Sequence, residues 1–174
     1  MALVATCPPR QCGIATFTSD LARAIRQAEP ATRIRWAAID EGDGAHLYGP
    51  EVQWRMSQED PASYAATAVQ LNASAVDVVS VQHEFGLYGI WGERFEDHLA
   101  PFLEVLHKPL VVTLHTVLPE PSPSVREAVR QIGHHSAAVV VMAELARQIL
   151  VDSYGLSADN VHVIPHGVPP VQPK

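Results

Sequence analysis

A glycine, two histidines and a glutamate are the residues of this chain whose types and positions point to chemistry. Gly13 stands immediately ahead of a helical repeat, where a residue without Cβ lets a ligand reach backbone N–H groups and the positive end of a helix dipole. A phosphate or a sugar hydroxyl suits that place, and turn chemistry is the plainer account of a lone glycine. His83 and His115 each close an apolar run, and Glu84 follows the first of them. Two imidazoles and a carboxylate can hydrogen-bond a polyhydroxylated ligand, move protons or hold a metal; the plainer role is to cap strand ends. No metal is expected, because their spacing matches no recognised ligand motif. Cys7 and Cys12 lack the second pair that a tetrahedral zinc site needs. Phe85, Tyr88 and Trp91 fall in the glycine-bearing stretch from Glu84 to Glu93, as a wall for sugar rings or as ordinary packing. His134 and His135 end a helix, where solvated groups favoured by the helix dipole are expected.

These residues form a site only if the fold brings them to one edge. Short β-rich runs alternate with amphipathic stretches along the whole chain, the pattern of a parallel sheet covered by helices. Strands are expected at 2–6, 34–39, 75–82, 110–115, 137–142 and 161–164, with a minor one near 52–55. The expected fold is α/β, a Rossmann-like three-layer sandwich with a mostly parallel sheet of six or seven strands. Phe17, Leu21, Ile25 and Ala28 repeat at helical spacing and mark the buried face of the first helix. Asp60 and Pro61 read as cap and first residue of a second, running to about Leu71. Phe95, Leu99, Phe102, Leu103 and Leu106 make one helical stripe. Ser124 and Glu127 have capping-box spacing, with Ser122 before Pro123 an equally good cap, and Gly155 ends a helix begun at Glu144. In open parallel sheets ligands bind beyond the carboxyl ends of the strands. The segments Cys7 to Ala15, His83 to Gly86 and His115-Thr116 all occupy that position. No G-x-G-x-x-G follows the first strand, which argues against a dinucleotide-binding dehydrogenase.

With 174 residues the chain has the size of one domain. The 12 basic and 19 acidic residues leave a net charge of −7, and no basic run tracks a phosphate backbone, so nucleic acid is not an expected partner. The opening residues do not make a signal peptide, and no apolar run nears the ~20 residues of a membrane span. A reducing cytoplasm is the expected setting. The segment from Pro165 to Lys174 is too rich in proline to extend a central sheet and reads as a linker, leaving residues 1–164 as the domain.

Four segments together carry a family resemblance. They are Pro8-Pro9-Arg10-Gln11-Cys12-Gly13-Ile14-Ala15-Thr16-Phe17, Gln82-His83-Glu84-Phe85-Gly86, Val112-Thr113-Leu114-His115-Thr116 and Val163-Ile164-Pro165-His166-Gly167-Val168. In order and spacing they resemble the N-terminal, acceptor-side domain of retaining GT-B glycosyltransferases. The resemblance implies transfer of a sugar from a nucleotide sugar to a carbohydrate or glycolipid acceptor, in a cleft shared with a C-terminal GT-B domain. By the same likeness, Gly13 and Ile14 donate backbone hydrogen bonds toward the donor diphosphate, and His115 is the active-site histidine at the donor sugar. Arg10, His83, Glu84, Phe85 and Gly86 line the acceptor side, and His166-Gly167 lies at the crossover to the second domain. No cofactor is implied. The nucleotide-binding segment of such enzymes belongs to the C-terminal domain, so the chain alone is expected to be inactive or nearly so. Met142-Ala143-Glu144 lacks the serine of that strand end in many relatives. An acceptor carried on lipid would place the protein at the inner membrane face. The other readings are a non-catalytic carbohydrate- or protein-binding module on the same fold, and a metal-assisted hydrolase using His83, Glu84 and His115.

Overall fold

A computed structural model describes residues 1–41 and 46–168. Most of the loop expected after the second strand, and the linker beyond Val168, lie outside the described residues. The chain runs β1 (Ala2–Ala5), α1 (Gly13–Ala28), β2 (Arg35–Asp40), β3 (Val52–Ser57), α2 (Pro61–Ala73), β4 (Val79–His83), β5 (Gly89–Ile90), β6 (Glu96–Asp97), α3 (Ala100–Val105), β7 (Leu110–Leu114), α4 (Pro123–His135), β8 (Ala138–Val141), α5 (Glu144–Tyr154) and β9 (Val161–Val163). Seven strands form one sheet in the order β3-β2-β1-β4-β7-β8-β9, and every neighbouring pair is parallel. The fold is the Rossmann-like α/β sheet that the alternating pattern predicts. The minor strand near Val52 is a full edge strand of six residues.

Strand order reverses between β1 and β4, so that α1 and the later helices lie on opposite faces of the sheet. On one face α1 covers Leu3, Trp36 and Ala38 through Ala22. On the other, Tyr64 and Leu71 of α2, Phe102 of α3, Val125 and Ile132 of α4 and Leu150 of α5 pack on Val4, Ile39, Val79, Val81, Val112 and Val139. Alternation along β4 and β7 sorts the side chains. Val79, Val81 and His83 lean with Leu110, Val112 and Leu114 toward α2–α5, whereas Ser80 and Gln82 lie in register with Val111 and Thr113 on the side of α1.

Two local expectations change and one choice between caps is resolved. The fully buried line of α1 is Ala15, Thr18 and Ala22, small residues that let the helix sit close to the sheet. Phe17, Leu21 and Ile25 flank that line, and Ala28 is exposed. The stripe from Phe95 to Leu106 is not one helix. Pro101 is confined to the first turn, so α3 starts at Ala100, and Phe95 instead joins Phe85 and Trp91. Ser122 rather than Ser124 caps α4, its hydroxyl accepting from the Val125 N–H at 3.4 Å. Asp60 caps α2 as expected, accepting from Ala62 N–H at 3.0 Å, and Gly155 ends α5 at φ +74°.

Candidate active site

The crevice beyond β1 and β4, where strand order reverses, is the place an open parallel sheet offers a ligand. The loop from β1 delivers α1 there. Cys12 caps the helix, with its Sγ 3.4 Å from the Ala15 N–H and 2.9 Å from the Thr6 hydroxyl. Among the described residues the N–H groups of Gly13 and Ile14 meet no acceptor. A Cβ built on Gly13 meets nothing within 4 Å, and its φ is not positive. Neither packing nor backbone strain requires a glycine there, and the space before the helix is open to a ligand carrying negative charge.

One turn further, Phe17 meets the His115 ring edge-on at 4.7 Å and the His166 ring at 5.1 Å. The first turn of α1 and both imidazoles thus share one side of the crevice. His115 Nε2 lies 3.0 Å from Gln82 Oε1, while its Nδ1 has no partner among the described residues. Burial, with a smaller contribution from the charge of His166, lowers the His115 pKa to about 4, so the ring is neutral at pH 7. Glu84 stands alongside, one oxygen accepting from Thr116 Oγ1 at 2.8 Å and the other from the Phe85 N–H at 2.9 Å.

His83 shares the rim with its ring packed among aromatic side chains. Its position on β4 turns the side chain toward α2–α5, where Tyr88 stacks on the ring at 5.4 Å and Phe85 meets it edge-on at 5.2 Å. Its Nδ1 is sealed without a hydrogen-bond partner, and burial, aided by His115, lowers its pKa to about 4. Tyr88 fixes this wall by donating through its hydroxyl to the carbonyls of Val4 (3.1 Å) and Gln82 (3.0 Å). Beyond it Phe85 stacks on Trp91 at 4.7 Å, and Trp91 remains 46% exposed.

Arg10 is committed within the chain. Its guanidinium donates to the Ile39 carbonyl at 3.2 Å and to Gln58 Oε1, and it pairs with Glu41. Gln58 donates in turn to the Gly86 carbonyl, so Arg10 and Gly86 shape the crevice by tying its two loops together. His166 and Gly167 are exposed just past β9. Asp40, at the end of β2, is held by the Tyr48 hydroxyl and by Arg55 Nε at 3.1 Å, so it is not free to take a ribose as a dinucleotide-binding fold would require. No group of three or more His, Cys, Asp or Glu side chains able to hold a metal occurs among the described residues. No described helix is long and apolar enough to cross a membrane.

Phe17 and Gln82 stand inside two of the resembling segments but have no role assigned there, and Gln58 stands outside all four. Gln82 carried a signal, a polar side chain ending an otherwise apolar strand, whereas Phe17 is masked by the helical repeat it belongs to and Gln58 by a turn.

The model of glycosyltransferase family 4 matches residues 12–172. No curated protein sequence matches the chain. Among solved structures, a glycosyltransferase from Rickettsia africae ESF-5 superposes with a TM-score of 0.57 at 16% identity, over 96% of this chain and 43% of that one. The chain therefore spans less than half the length of that enzyme, and the likeness concerns the fold.

Proposed function

The chain belongs to glycosyltransferase family 4, and on that footing we propose that it is the N-terminal, acceptor-side half of a two-domain GT-B enzyme that transfers a sugar from a nucleotide sugar with retention. The observation that carries this reading is the pair of unengaged N–H groups at Gly13 and Ile14 beside the neutral His115. In transfer, the bond from the anomeric carbon to the diphosphate oxygen breaks and an acceptor hydroxyl oxygen takes its place. The hydroxyl proton leaves with the diphosphate. Negative charge develops on that diphosphate, where fixed backbone donors at a helix N-terminus stabilise it most. His115 contacts the transferred sugar. His83, Glu84, Phe85 and Gly86 form the acceptor wall, with Arg10 holding its loop in place. Residues 1–164 are the domain, and His166-Gly167 begins the passage to a C-terminal donor domain.

Exposed apolar side chains support such a partner: Ile90 ends β5, and Trp91, Leu145, Ile164 and Val168 follow the carboxyl ends of strands. The two free cysteines suit a reducing cytoplasm, where nucleotide sugars are made. A lipid-linked acceptor would bring the enzyme to the inner membrane face. The test is the anomeric configuration of the product formed by the polypeptide joined to its donor domain, read by proton NMR. An α-linked donor gives an α-linked product on this account, and inversion contradicts it.

A further inference from the structure

Gln82 is fully buried in the middle strand of the sheet, an unusual place for an amide. Its neighbours on β4 explain its direction but not its chemistry. Val81 and His83 face the large core, so Gln82 faces α1 and reaches the ring that follows β7. Its Nε2 donates to Ser80 Oγ at 3.3 Å, which leaves Oε1 as the acceptor for His115 Nε2 at 3.0 Å. A carbonyl oxygen can only accept, so the proton of the neutral imidazole sits on Nε2 and Nδ1 is bare. That Nδ1 meets no group among the described residues and, unlike the Nδ1 of His83, is not sealed from solvent. Phe17 holds the ring from its other side.

We propose that Gln82 is a positioning residue that locks His115 in the Nε2–H tautomer, so that its exposed Nδ1 accepts a hydrogen bond from a hydroxyl of the bound sugar. The assignment of the ligand as a sugar rests on the reading above; the tautomer does not. It follows that the histidine recognises a hydrogen-bond donor and leaves anionic oxygens to the N-terminus of α1. A bare nitrogen repels a phosphate oxygen, and an imidazolium would invert that preference.

The test is two-bond ¹H–¹⁵N NMR of the histidine-labelled chain at pH 7.5, without ligand. The expected spectrum has His115 with a protonated Nε2 and a bare Nδ1. Gln82→Met keeps the length but removes the acceptor, and is expected to move His115 to a mixture of both tautomers. Gln82→Glu is expected to raise the pH at which His115 loses its second proton by at least one pH unit, because a carboxylate favours the charged ring. A proton on Nδ1 in the wild-type chain, which a reversed Gln82 amide would give, overturns the proposal. So does an unchanged tautomer in Gln82→Met. Because the readout needs neither donor nor acceptor, its failure leaves the transferase reading standing, and failure of transfer leaves the tautomer in place.

Discussion

His83 and His115 are kept uncharged by burial, and this makes folding sensitive to mild acid. Their folded pKa values, lowered to about 4, lie below the ~6.5 of an unfolded histidine. Between those values the unfolded chain binds more protons, so their contribution is fully present above about pH 6.5 and is lost as pH falls through 4. The gap corresponds to about 3 kcal/mol for the buried His83 and less for the partly solvated His115. Urea midpoints at pH 7.5 and 4.5 check this. The wild-type midpoint drops over that interval, and His83→Phe, which preserves the stacking on Tyr88, is expected to lose a substantial part of the drop; an undiminished drop contradicts the assignment.

Among the elements, the β5–β6 hairpin and the α4 cap depend on single residues. Gly89 sits at φ +135°, and a Cβ there would lie 2.1 Å from the Glu96 carbonyl oxygen. Gly89→Ala is expected to break the hairpin, costing more than about 2 kcal/mol in chemical denaturation, with a change in Trp91 fluorescence. Ser122→Ala removes one capping bond and is expected to cost about 1 kcal/mol, whereas Ser124→Ala changes little; equal costs would contradict the cap seen here. The seven strands of the main sheet, α2, α4 and α5 are readable from residue pattern because burial of β-rich runs and cap chemistry are local, whereas the two-residue strands β5 and β6 leave no such signal. The face of α1 was not readable, since closeness to the sheet selects Ala15, Thr18 and Ala22 over larger residues, a tertiary requirement that no periodicity records. For the same reason His83 and His115 looked equivalent in sequence. Register and alternation across β4 and β7 then sent one into an aromatic wall facing α2–α5 and the other to the side of α1.

At the scale of the whole molecule, the proposed function makes the sheet one wall of a cleft, with donors at α1 and an acceptor at His115, and assigns the choice of nucleotide base to the other wall. Calorimetry with UDP- and GDP-sugars should therefore give millimolar or weaker binding to this chain, and micromolar binding would contradict the proposed division between two domains. The central claim, that the rim around Gly13 and His115 is where sugar is transferred, is tested most directly by nucleoside diphosphate release from the polypeptide joined to the proposed donor domain, compared with its His115→Ala variant. Turnover is expected to fall by about 100-fold, some 2.7 kcal/mol, with the unfolding midpoint nearly unchanged. Equal turnover in a folded variant would contradict it.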